Sequence, residues 1–270
     1  MYLINSYRFQ SAPSASYLLD TYPATAAYSL RKLRTGVTNV ISVRRSSDNA
    51  ESAFTADEII DGTLTTWVGA NNGFITTIYD QVGSNNATQS ISTRQPIIVK
   101  SGVLQLTNGL PTVDFSDAAI GNVAPMVIGS NITFQTAFTL AQIEVLNVAN
   151  YILGNESPVQ GLFYSGSSAS ITGIGGYDGT FQQLSGEDFN QNIAYFNMRS
   201  SNLYIAKNGA AETNTGSFSS SLTVNLLGGR TSVTQVYMRG NFQEIILFNS
   251  DESANKAAIE TDINNYYSVY

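Results

Sequence analysis

Apolar and polar positions alternate through most of this chain, and that two-residue period predicts strands. Val40–Arg44 alternates, and Phe74–Asp80 reads as a further strand. Comparable runs follow at Pro96–Val99, Thr112–Phe115, Phe134–Val145, Tyr151–Leu153, Gly161–Tyr164, Asn192–Met198, Leu203–Ala206, Thr223–Leu227, Gln235–Met238 and Phe242–Phe248. Asn108-Gly109 and Asn208-Gly209 stand between such runs, where a tight hairpin turn needs positive φ at both central positions. Ser165–Gly176 is rich in Gly and Ser and reads as a long loop between strands.

Three segments break the alternation. Thr21–Arg34 reads as a short helix, with Pro23 in its first turn and Gly36 just past its end. Thr55-Ala-Asp-Glu58 is a capping box, in which the threonine hydroxyl and the glutamate carboxylate satisfy two free amides reciprocally. Ile60, Leu64, Trp67 and Val68 then share one helical face, and Gly69 ends it; Trp67 is read as a core anchor. Asp251–Tyr267 carries Ala258, Ile259, Ile263 and Tyr266 at helical spacing and predicts a C-terminal helix. Many short strands joined by Gly, Asn and Ser point to a mainly β chain. No fixed-period repeat or linker divides it, so residues 1–270 are read as one domain, with 1–20 an assembly arm or first strand.

Composition narrows the chemistry. The chain has no His and no Cys, which excludes Ser-His-Asp and Cys-His machinery, disulfides, thiolate nucleophiles and imidazole metal sites. With 13 basic against 20 acidic residues the net charge is −7, which argues against a phosphate-binding nucleic-acid surface. No apolar run approaches a membrane span, and Met1–Ser6 lacks the basic and apolar regions of a signal peptide. Of the acids, those around Asp48–Asp61 and Asp251–Asp262 fall at helix ends and are read as solvated or dipole-favoured. Asp80 follows a strand and is read as a turn residue bonding local amides, and Glu244 as a satisfied, partly buried strand acid.

The segments Ala27–Leu33, Val43–Ala50, Gly73–Gln89 and Gln95-Pro96 together resemble the arabinofuranosidase B catalytic-domain family. Leu203–Gly209 and Phe242–Asn249 resemble concanavalin-like and laminin-G-like domains more generally. The resemblance implies a concanavalin-like β-sandwich, a jelly roll, here with two short N-terminal helices and a C-terminal helix. Relatives with this N-terminal pattern are frequent in bacteriophage particle and tail proteins. The family's enzymes are retaining glycosidases, which need two carboxylates roughly 5 Å apart. At the position the resemblance gives the nucleophile stands Val159, with Glu156 three residues away. At the acid's position Gly228-Gly229 is followed by Arg230, and arginine cannot deprotonate at neutral pH. The family's paired sugar-pocket cysteines are missing.

The expectation is therefore a non-enzymatic bacteriophage virion protein, structural or for host attachment, on the particle surface. Its expected partners are other virion proteins, copies of itself and a host-surface glycan, without nucleic acid or membrane insertion. A glycoside hydrolase acting on a surface polysaccharide is one alternative, with Glu156 and Asp178 as its carboxylates; a stand-alone carbohydrate-binding module is another. Tyr151, Tyr164, Tyr177 and Phe181 are read as sandwich core or, alternatively, as a sugar-binding rim, and Arg230 is a further candidate binding residue. No cofactor is expected. Asp178, Glu187 and Asp188 are the oxygen donors that would hold calcium if one is bound.

Overall fold

The computed structural model describes residues 16–116, 124–144, 149–165, 173–185, 190–230 and 237–270. The strands are β1 (Ala26–Ser29), β2 (Asn39–Arg45), β3 (Glu51–Thr55), β4 (Gly73–Ile78), β5 (Ala87–Thr88), β6 (Ile97–Lys100), β7 (Val103–Leu104), β8 (Leu106–Thr107), β9 (Leu110–Pro111), β10 (Val113–Asp114), β11 (Met126–Phe134), β12 (Thr136–Ile143), β13 (Ala149–Glu156), β14 (Val159–Ser165), β15 (Gly173–Tyr177), β16 (Phe181–Ser185), β17 (Asn192–Arg199), β18 (Asn202–Lys207), β19 (Thr213–Ser217), β20 (Leu222–Leu227) and β21 (Gly240–Phe248). The helices are α1 (Leu18–Thr21), α2 (Ala56–Ile60), α3 (Thr63–Val68) and α4 (Lys256–Tyr267).

Among the described residues every strand pair is antiparallel, and all strands but β8 and β9 belong to one hydrogen-bonded system that folds over on itself. One half runs β19-β18-β17-β12-β21, with β1 and β10 both on the far side of β21. The other runs β16-β15-β14-β13-β20-β11-β5-β4, and β4 continues to β2 and β6. The halves enclose the main core: Phe196, Met198, Leu203 and Ile245 face Leu162, Tyr164, Leu227 and Ile132. The intervening positions Phe138, Tyr195, Ile246 and Phe248 build a second core under α4 and α1, with Ile259, Ile263 and Tyr267. Strands buried on both faces lose the apolar–polar alternation; all nine residues of β21 are buried.

The segment read as a helix over Thr21–Arg34 is a strand where it matters. Ala26–Ser29 pairs with Leu247–Glu244 of β21. Ala26 and Tyr28 enter the main core, while Ala27 enters the second. Burial on both sides of a sheet outweighs the helix propensity of alanine. Helix α1 lies before this segment. The Thr55–Glu58 capping box forms reciprocally, Glu58 N–H donating to Thr55 Oγ1 at 3.2 Å and Thr55 N–H to Glu58 Oε2 at 2.8 Å. Gly62, at φ +93°, then breaks the run into α2 and α3. That break rotates the apolar face, so Ile59 is buried and Ile60 is 58% exposed. Trp67 packs edge-on against Phe54 at 5.4 Å between ring centroids. In α4, Lys256, Ile259, Glu260, Ile263 and Tyr267 face inward, while Ala258 is exposed. Both Asn-Gly pairs have positive φ at both residues. The Gly/Ser segment read as loop contributes Gly173–Tyr177 to the sheet as β15.

The stretch that carries the family resemblance is a hydrogen-bonded knot. The Asp80 carboxylate accepts from the backbone amides of Ala27, Val82, Gly83 and Asn85 at 3.0 to 3.3 Å. Gln81 accepts from Leu33 N–H and donates to the Ser29 and Arg31 carbonyls. Arg44 donates to Gln95, which donates to the Gln89 carbonyl. These buried side chains satisfy loop backbone that has no ladder partner. No helix among the described residues is long and apolar enough to cross a membrane.

Candidate functional site

In β14, Leu162 and Tyr164 point into the main core, so Phe163 must point to the other face. Its register partners bring more aromatics to that face. Tyr151 of β13 lies opposite Phe163, and Tyr177 of β15 lies opposite Gly161 and Phe181. Ring centroids are 5.6 Å apart for Tyr151–Phe163, 5.8 Å for Phe163–Phe181 and 4.6 Å for Tyr177–Phe181. Tyr151 and Phe163 are buried, Tyr177 is half-buried and Phe181 is 41% exposed. The patch therefore grades from a buried floor to an open rim.

Glycines make room for it. A Cβ on Gly175 would lie 2.5 Å from the Phe163 ring, and one on Gly154 would lie 2.4 Å from Arg230 Cα and 2.6 Å from the Gly229 carbonyl oxygen. That close approach sets Arg230 against the aromatics. Its guanidinium carbon is 4.8 Å from the Tyr151 ring centroid and 5.5 Å from that of Tyr177. Its Nη1 donates to the Tyr151 hydroxyl at 3.1 Å, and its Nε is buried with no hydrogen-bond partner among the described residues. Burial pushes the Tyr151 hydroxyl above its ordinary value, against the pull of Arg230, so Tyr151 is neutral at physiological pH.

The charge on Arg230 differs from that on three other arginines, while Arg34, Arg44, Arg94 and Arg239 share its lack of a carboxylate ion pair among the described residues. Arg31, Arg45 and Arg199 each form an ion pair, with Glu244, Asp48 and Glu212 respectively. Arg230 has no carboxylate partner among the described residues. The arrangement offers ring faces for stacking and a cation with an unused donor.

Of the residues the sequence offers as a site, Tyr151, Tyr177, Phe181 and Arg230 come together. Tyr164 does not. It is only 2% exposed and faces the main core, its hydroxyl within 2.8 Å of Thr139 Oγ1. Its role as a rim residue is therefore corrected to a core one. Phe163, read from sequence only as part of a strand, takes the place beside Tyr151. Glycines at alternate positions of one strand, as at Gly173 and Gly175 of β15, are the sequence signal that something lies close against that face.

Glu156 is exposed at the end of β13, opposite Val159. Asp178 closes a turn: one oxygen accepts from the Thr180 amide and hydroxyl, the other from the Ser219 amide and hydroxyl at 2.6 and 2.8 Å. Its carboxylate is spent on holding the β15–β16 turn against the segment after β19. Burial raises its pKa, but the Ser219 and Thr180 hydrogen bonds outweigh burial and the net shift is downward. A lowered folded-state pKa contributes stability above the unfolded value of about 4 and loses it as pH falls through the folded value. Asp178→Asn is therefore expected to lower the urea midpoint at pH 7, with the gap to the parent closing at pH 3. Glu187 and Asp188 lie outside the described residues. Among the described residues no three acids group as a metal site.

A separate cleft of about 640 Å³ lies between α1, α2 and α4, with Tyr17, Ile60 and Tyr266 on its walls and Arg31 and Asp262 at its base. Arg31 is doubly paired there, to Glu244 at 2.8 Å and to Asp262 at 2.7 Å, and has no charge to spare.

The sequence matches no family model and no curated protein. Among solved structures the fold is similar to an arabinofuranosidase complexed with arabinofuranosyl-α-1,2-xylobiose, at a TM-score of 0.63 and 15% identity. It is similar also to a GH54 α-L-arabinofuranosidase soaked with a cyclic sulfate inhibitor, at 0.60 and 14%. Each likeness covers 89% of this chain but 62% of the other, so the chain spans less than two thirds of those proteins. What the likeness establishes is a shared β-rich fold.

Proposed function

We propose that this chain is a non-enzymatic glycan-binding protein of a bacteriophage particle, serving attachment or structure on a concanavalin-like jelly roll. The observation that carries the glycan reading is Arg230, seated against Tyr151 and Tyr177 without a carboxylate partner among the described residues. The resemblance gives that position to a general acid, and an arginine there binds oxygen without donating a proton. Asp178 is engaged on both oxygens, which supports the same reading. Aromatic faces beside a guanidinium suit a sugar ring, whose C–H face stacks while its hydroxyls accept hydrogen bonds. The particle setting rests on the Arg44–Gln89 pattern; particle proteins and further copies of the chain are its proposed partners.

Array binding to neutral and acidic oligosaccharides tests the glycan reading. Arg230→Ala removes a charge-assisted contact of about 1.5–3 kcal/mol, so affinity is expected to fall about 10- to 100-fold. Tyr177→Ala is expected to weaken the same ligands. An antibody to the chain is expected to label purified particles, which separates a particle protein from a stand-alone module. Unchanged binding in both variants would overturn the assignment of the site.

A further inference from the structure

Building on the glycan-binding reading, we propose that Arg230 reads a carboxylate, and that the sugar it receives is acidic, of the uronate or sialate class. A guanidinium that folding withdraws from water needs acceptors, and a cation so placed needs a counter-charge. Among the described residues Arg230 has one acceptor, the neutral Tyr151 hydroxyl on Nη1, and its buried Nε has none. Arg31, which is more deeply buried than Arg230, takes Glu244 through Nε and Nη2 at 2.8 and 2.9 Å. That pair shows what a guanidinium edge in this protein binds when the chain supplies the partner. At Arg230, the described residues supply none.

The geometry favours a planar anion. Nε is covered by protein, so a carboxylate would meet the outer end of the guanidinium fork, across Nη1 and Nη2, with two parallel hydrogen bonds. Tyr151 and Tyr177 lie 4.8 and 5.5 Å from the guanidinium carbon and fix the orientation of its plane. Half-buried Tyr177 and exposed Phe181 stand together at the open side, where the attached sugar ring would lie. A net charge of −7 repels polyanions at long range, so recognition of an acidic sugar here is local.

Galacturonate, glucuronate and N-acetylneuraminate oligosaccharides, each paired with its methyl ester, provide the test by calorimetry. The ester keeps the ring and removes the charge. Wild-type protein is expected to bind at least one acid about 10- to 100-fold more tightly than its ester. Arg230→Gln is expected to abolish that difference, and Arg230→Lys to restore part of it through charge without the fork. Tyr177→Ala is expected to weaken acid and ester alike. Circular dichroism and the acid–ester ratio on wild-type protein keep the result independent of variant folding. Equal affinity for acids and esters overturns the carboxylate inference and leaves the glycan reading standing. Competition by free acetate as strong as by the oligosaccharide also overturns it, because the site then takes a bare anion. Binding of none of the acids, esters or neutral arrayed glycans removes the glycan reading itself.

Discussion

Replacing Glu244 with alanine is expected to lower the unfolding free energy by about 3–5 kcal/mol, because it strands a buried cation. Glu244 is 1% exposed in the middle of β21 and accepts from Arg31 Nε and Nη2, from Ser29 Oγ at 2.7 Å and from the Tyr267 hydroxyl at 3.3 Å. Burial depresses the pKa of Arg31, but the carboxylate beside it outweighs burial and holds it above its ordinary value, so Arg31 stays charged. The network sits where β1, β21 and α4 meet, so its loss loosens the helix from the sheet. Against a total of roughly 5–15 kcal/mol for a typical domain, that is a large share. The partner matters more than the charge pair itself. A double variant, Arg31→Met with Glu244→Leu, is expected to unfold at a higher urea concentration than Glu244→Ala, since apolar replacement of a buried pair is often near neutral. A Glu244→Ala midpoint within error of the parent would contradict this account of the interface.

Gly154→Val is expected to cost stability and binding together. Gly154 has no positive φ, so its need for glycine is one of space: the new Cβ meets backbone atoms of Gly229 and Arg230 at 2.6 and 2.4 Å. Backbone cannot rotate aside as a flexible side chain does, so β13 and the Gly228–Arg230 segment must part. Overpacking of this kind costs about 1–3 kcal/mol. The displacement carries Arg230 away from Tyr151 and Tyr177, and glycan affinity is expected to fall as far as in Arg230→Ala. Urea unfolding and calorimetry on the same preparation check both effects. A variant that binds at parental affinity would show that the close approach does not position Arg230.

Much of the strand pattern is legible in the sequence because half-buried strands alternate and Asn-Gly marks turns. The capping box locates α2 because its two hydrogen bonds are local. Ala26–Ser29 is misread because local propensity favours a helix, and only the distant β21 makes it a strand. The Arg44–Gln89 resemblance carries the fold well for a physical reason: Asp80, Gln81 and Gln89 bond loop backbone. Those residues are required by the scaffold whatever its chemistry, so the resemblance speaks for architecture more than activity. The site is less legible. Tyr151, Tyr177 and Arg230 are far apart in sequence and meet through register. Phe163 and Tyr164 are neighbours of similar size, and a one-residue choice decides which faces the core and which faces the patch. Nothing in Gly161–Ser165 alone makes that choice.

The central claim is that the face carrying Arg230 holds a glycan and leaves it intact. Its most direct measurement is a nuclear magnetic resonance time course with purified protein and two probes: arabinofuranosyl-α-1,2-xylobiose and the tightest-binding arrayed glycan. The account predicts that the bound glycan shifts the Arg230 Nε–H and Tyr177 ring signals, while no new reducing end or free arabinose appears from either probe. Release of arabinose or of a new reducing end by wild-type protein would contradict it.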